Sequence, residues 1–333
     1  YLQNKLKINI MNNFKTLKVF SLIVFFSVLA CKKETETPIS STPVSPVINF
    51  TDLLFLDYFQ EEIQLSTHDV TNFATINGDK GSMIFLTSTS FNDAEGNPVT
   101  GSVDIELIEA LDNKDMLMLN RPTVTNNGEL LTSAGVIYIN ATQNGQQLQI
   151  AEPLTTLMPN TTGMFSNNLP SPFGLFSGDT AVNGDFVWVE DTGNVVLDGD
   201  SAMYWQFDID SIAWTNIDAI SYPSGTLFTS SVDVILPSGH DGTNSAVFMY
   251  FSNINSVASL NDGNQDGTFT KGQYYNLAVS ENVKFVVVSE VNNQWSWHVT
   301  STVSILDPHF EIIPALTPAV DEQAVQAAIL NAL

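Results

Sequence analysis

From Asn49 onward the chain alternates apolar and polar residues in short runs, broken by Gly, Asn and Asp. Only a pleated strand sends successive side chains to opposite faces, so this pattern commits the chain to β-sheet with buried faces. The clearest run is 102–109, where Val103, Ile105 and Leu107 face one way and Asp104, Glu106 and Ile108 the other. Residues 202–210 repeat the pattern, with Trp205, Phe207 and Ile209 against Gln206, Asp208 and Asp210. Further strands are predicted at 82–88, 135–141, 147–150, 185–190, 230–236, 246–251, 274–280, 283–290 and 294–305. Asn127-Gly128 and Asn144-Gly145 supply hairpin turns, and 92–98 is a longer turn cluster. Residues 53–63 fit a short helix or an irregular strand equally well.

Two interruptions divide the β pattern. Residues 153–179 gather Pro159, Pro170, Pro172, Gly163, Gly174 and Gly178, which marks a connecting segment. Near the end the period changes. Thr317-Pro318 reads as a helix N-cap with Pro at the first position, followed by an apolar stripe of Val320, Ala324, Val325, Ala328 and Ile329. The expected fold class is mainly β: two β-sandwich-like domains, 49–152 and 180–314, joined through 153–179 and closed by a short C-terminal α-helix within 315–333.

Residues 1–48 follow different rules. Lys15 and Lys18 precede an apolar run from Val19 to Leu29, a length that suits a secretory signal peptide better than a bilayer span. Residues 1–30 are therefore expected to be an upstream extension and signal peptide. Cys31 follows at once and is the only cysteine, so no internal disulfide can form. Val28-Leu29-Ala30-Cys31 resembles the lipobox of bacterial lipoproteins, which implies that Cys31 becomes the lipidated N-terminus. Position 32 is Lys, and Lys32-Lys33-Glu34-Thr35-Glu36 resembles the surface-export signals of Bacteroidota lipoproteins. The resemblance implies an outer-membrane lipoprotein facing the cell surface, with the periplasmic face as the alternative. The rest of 31–48 is rich in Pro, Ser and Thr and reads as a tether.

Charge narrows the partners. Four of the 11 Lys and Arg precede Cys31, and all 36 Asp and Glu follow it, leaving 7 positive against 36 negative side chains in the anchored chain. Such a surface repels nucleic acid and anionic membranes, so nucleic-acid binding is excluded and membrane contact is expected through the lipid alone.

Within 75–151, three stretches stand out: Asp93-Ala94-Glu95-Gly96-Asn97-Pro98-Val99-Thr100-Gly101-Ser102-Val103, Leu131-Thr132-Ser133-Ala134-Gly135 and Asn144-Gly145-Gln146. They resemble a β-sandwich domain found in ankyrins, netrin receptors and many Bacteroidota surface lipoproteins. In the eukaryotic members that domain serves interaction. Phe85-Leu86 stands where the family has Ile-Pro. The resemblance implies an interaction module without catalytic residues.

Local chemistry is sparse. Asp262, Asn264, Asp266 and Thr268 place oxygens at alternate positions of a D-x-N-x-D-G run, the first half of a calcium loop, with Gln273 where a bidentate Glu would complete it. Calcium is the one cofactor the sequence suggests, and a metal-free acidic turn is the plainer alternative. Asp208 and Asp210 share a strand face and could serve acid–base work or simply meet solvent. His68, His240, His298 and His309 are not spaced as metal ligands. The five tryptophans, Trp188, Trp205, Trp214, Trp295 and Trp297, fit core positions or a sugar-stacking platform. No nucleophile elbow, P-loop or dinucleotide fingerprint occurs. The expected function is a non-catalytic interaction or structural module of the cell envelope, with an envelope protein or glycan as partner. The alternatives are a glycan-binding accessory lipoprotein and an envelope hydrolase.

Overall fold

A computed structural model describes residues 50–161, 173–181, 184–193, 195–197, 203–221, 226–227, 229–271 and 277–333. Cys31, the tether, 162–172 and Gln273 lie outside these residues. The chain is mainly β, arranged in several sheets, with a short C-terminal helix.

Four sheets carry the core. The first runs in the order Gln64–Asp69, Ser102–Ala110, Leu131–Gln143, Trp214–Ile220, Gly174–Thr180, Phe186–Asp191, every neighbour antiparallel. The second runs Val196–Leu197, Tyr204–Ile209, Leu154–Pro159, Met83–Leu86, Ala74–Asn77. Their facing sides form a sandwich. Val103, Ile105 and Leu107 pack with Ile84, Leu86, Trp205, Phe207 and Ile209, as the alternation predicts.

The third sheet contains Ser256–Leu260, Ser245–Phe251, Asn282–Val291, Gln294–Val299 and Thr317–Ala319, in that order. One face, with Ala246, Phe248, Tyr250, Val286 and Val288, packs on the back of the first sheet against Ile108, Val136, Trp188 and Trp214. Its other face packs Val247, Met249, Phe251, Phe285 and Val287 on Val232, Val234 and Phe269 of a fourth, three-stranded sheet. That sheet runs Thr268–Lys271, Val232–Ile235, His309–Ile312. The third sheet is thus covered on both sides. Every residue of Ser245–Phe251 is buried, which is why this strand is a continuous apolar run and not an alternating one.

The sheets do not divide at 153–179. Leu154–Pro159 pairs with Tyr204–Ile209, and Leu131–Tyr138 pairs with Trp214–Ile220. Strands from 64 to 220 build the sandwich, strands from 232 to 319 build the other two sheets, and Val47–Leu333 is one compact unit. Pro and Gly record where the chain reverses. They carry no information on which strands pair afterwards.

The ambiguous 53–63 stretch is a 3-10 turn, Phe50–Leu53, followed by helix α1, Leu56–Glu62. A second helix, α2, spans Asn113–Met118 and is capped by Asp112, whose carboxylate accepts the amides of Lys114 and Asp115 at 3.0 Å. The C-terminal helix α3 is Glu322–Ala332, starting later than the sequence suggests. Thr317–Ala319 is instead an edge strand on Trp295–Trp297, a place that tolerates the missing N–H of Pro318. Asp321 is the true cap and accepts the amide of Ala324 at 2.8 Å. At the other end Lys114 and Lys284 donate to the carbonyls of Leu330 and Ala332, at 3.3 and 2.7 Å, where the helix dipole favours cations. No helix among the described residues is long and apolar enough to cross a membrane.

Candidate functional site

The 262–268 turn is held by hydrogen bonds of its own. Asp262 turns inward and accepts three backbone amides, those of Asp266 at 3.2 Å, Gly267 at 2.8 Å and Gly242 at 3.1 Å. Asp266 accepts the amide of Thr268 at 2.9 Å. Gly267 has φ +83° with the His240 carbonyl 2.8 Å from where a Cβ would stand, so glycine is required there. Among the described residues no three His, Cys, Asp or Glu side chains gather as a metal group. Asp262→Ala is expected to lower stability by about 1 kcal/mol in metal-free buffer, because it takes the acceptor from two part-buried amides, those of Gly242 and Gly267. Thermal denaturation with and without calcium checks this. A calcium-induced rise in Tm confined to the wild type would instead assign Asp262 to a metal.

The other predicted groups do not converge. Asp208 accepts the Thr155 hydroxyl at 2.9 Å, and Asp210 follows the end of its strand, exposed. His68 meets Ser66 at 3.0 Å and His240 meets Ser289 at 2.8 Å. Ser289 is fully buried and also contacts Ser245 and the Asn244 carbonyl, so it is held within the fold. His309 is buried and stacks on Phe285. Trp188 and Trp205 are fully buried and Trp214 nearly so, while Trp295 and Trp297 pack beside α3. Trp188, Trp205 and Trp214 therefore build cores, and Trp295 and Trp297 are half-buried at the edge of one.

Three ionic clusters are brought together that no local motif marks. Lys80 bridges Asp115 at 2.8 Å and Glu62 at 3.2 Å, and the Tyr58 hydroxyl donates to Asp115 at 3.3 Å. Burial raises the pKa of Asp115 against the opposing pull of Lys80. This cluster ties α1 and α2 to the Gly78–Ser82 turn. The second cluster surrounds Arg121, the only arginine. Its guanidinium lies 4.6 Å from the Phe186 ring and 4.5 Å from the Trp214 ring, and burial lowers its pKa to about 10. Nη1 donates to the carbonyls of Leu119 and Asn120 at 3.1 and 2.8 Å. Arg121 thereby pins the exit of α2. Beside it two adjoining clefts, about 230 and 430 Å³, share Pro122, Asp185, Phe186 and Ser259. Asn261 donates to Asp185 there at 2.8 Å. The third cluster is buried: Asp218, Asn216 and Ser133 between the first and third sheets.

The surface offers one further feature. On the fourth sheet Phe310 and Ile312 are 62 % and 68 % exposed, and Ile235 beside Ile312 is 37 % exposed. Leu306 just before this strand is 62 % exposed. His309–Ile312 is the outermost strand of its sheet. Large apolar side chains on an open sheet edge are what folds normally avoid. The sequence signal that could have found this strand is the pair Pro308 and Pro314 enclosing it.

No protein-family model matches the chain, and no curated protein matches it.

Proposed function

We propose that this protein is a lipid-anchored, non-catalytic interaction module of the cell envelope, held in the outer membrane through Cys31 and facing the cell surface. The observation that carries the interaction reading is the open, apolar strand edge at Phe310 and Ile312. The ionic clusters agree with it: Lys80 and Arg121 brace helices and turns, and neither presents a nucleophile beside a base. The anchor reading rests on the lipobox resemblance, and the strongly acidic body argues for a protein or neutral partner over nucleic acid.

In-cell cross-linking with mass spectrometry, run on the tagged wild type and on Cys31→Ala, tests the reading. A specific envelope protein recovered with the wild type and lost with Cys31→Ala is the expected result. Recovery of only lipid and bulk envelope protein would reject it.

A further inference from the structure

We propose that the His309–Ile312 edge is completed by an extended strand of a different protein, one that carries apolar residues facing Phe310 and Ile312 and a basic residue facing Glu311. This inference rests on the interaction reading above and assigns its surface.

His309–Ile312 runs parallel to Val232–Ile235, and the amides of His309 and Ile313 donate to the carbonyls of Ser231 and Ile235 at 3.1 and 2.9 Å. In a parallel ladder the amides that point to one neighbour are those of alternate residues. The N–H and C=O groups of Phe310 and Ile312 therefore point away from the sheet, and no further strand pairs with them among the described residues. Only another extended backbone satisfies such a row along its length. Pro308 and Pro314 bound the row, which limits the added strand to a short segment.

Side chains then choose the occupant. Ile235 is opposite Ile312, and Phe310 lies two residues before Ile312 on the same face, so the outer face carries three exposed apolar side chains that a guest strand would extend, with Asp233 opposite Phe310 as its one charged neighbour on the adjoining strand. A second copy of this chain is a poor guest. Antiparallel self-pairing that matches the outward groups of Phe310 with those of Ile312 puts Glu311 directly across from its own copy. Like charges so placed are destabilising. Each copy also brings 36 acidic side chains. A strand with apolar residues at alternate positions and Lys or Arg between them removes both objections.

The probe is a short capped peptide of alternating Val and Lys, with one of alternating Val and Glu as control. Hydrogen exchange is followed on the full-length chain purified in mild detergent. Saturating Val–Lys peptide is expected to slow exchange at Phe310 and Ile312 about tenfold, and the Val–Glu peptide to leave it unchanged. Ile312→Pro removes an outward N–H that bonds nothing among the described residues, and is expected to abolish the protection with little change in Tm. Unchanged exchange, equal protection by both peptides, or protection that survives Ile312→Pro would overturn the proposal. Protection that grows with protein concentration and no peptide would give the edge to a second copy, and would overturn it too. A cellular partner recovered by cross-linking beside unchanged exchange would leave the interaction reading standing and remove only this surface.

Discussion

Asp218→Asn is expected to change the pH dependence of stability more than any other single substitution in this protein. Asp218 is fully buried between the first and third sheets. Its Oδ2 accepts from Asn216, Ser133 donates to Asn216 at 2.8 Å, and its Oδ1 has no hydrogen-bond partner among the described residues. Burial therefore drives its pKa well above the usual carboxylate range. The folded state keeps a proton that the unfolded chain releases near pH 4. Stability is fully present below that pH and is lost as pH rises toward the folded pKa, because the unfolded state then binds fewer protons. Over that interval the loss proceeds at up to about 1.4 kcal/mol per pH unit. Asn cannot titrate. The stability of Asp218→Asn minus that of the wild type should therefore grow as pH rises above about 4, whatever offset its amide introduces. Urea unfolding of both proteins at several pH values measures it. A constant difference would mean that Asp218 is ionised in the folded state. The cluster also marks where the sandwich is joined to the other half: Asn255 donates to the carbonyls of Ser133 and Leu111, at 3.0 and 3.2 Å. The titration would thus report on the contact between the first and third sheets.

That same strand shows why part of the fold was hidden in the sequence. In Ser102–Ala110 and Tyr204–Ile209 one face is covered more fully than the other, and period-two reading finds them. Trp214–Ile220 is buried on both sides, and at Thr215, Asn216 and Asp218 it places polar residues in the interior. A local reading takes such a stretch for a turn, because the partners that satisfy it lie on Leu131–Gln143, far back in the chain. His309–Ile312 was hidden for a related reason. It is a four-residue strand enclosed by Pro308 and Pro314, and it pairs with a strand nearly eighty residues upstream. The candidate site was less legible still. Asp262 looks like a metal ligand because Asp, Asn and Gly in close sequence make both calcium loops and self-bonded turns. Only the direction of the carboxylate separates the two.

The second large effect is expected at Glu109, and it is coupled to Gly78. Glu109 is fully buried near the end of Ser102–Ala110. Oε1 accepts the Ser82 amide at 2.8 Å, and Oε2 accepts the Lys80 amide at 2.8 Å and the Gln64 side-chain amide at 3.0 Å. One carboxylate thus supplies the acceptors that the Gly78–Ser82 turn lacks. Glu109→Gln keeps the shape but turns an N–H donor toward these donors. It should cost about 3 kcal/mol, seen as a lower urea midpoint at unchanged slope. Because the same turn carries Lys80, the bridge to Glu62 and Asp115 should loosen with it. Gly78 provides the internal control. A Cβ at Gly78 would collide with the Glu109 carboxylate, yet the residue's φ lies outside the left-handed region, so Ala fits its backbone. Gly78→Ala should therefore be costly in the wild type and nearly neutral in Glu109→Ala, where the carboxylate is gone. The coupling should reach about 2–3 kcal/mol, with the double variant more stable than the sum of the singles allows. Additive costs would mean that Gly78 is needed for its backbone alone. In that case the carboxylate would not be what shapes the turn that holds α1 and α2 on the sandwich.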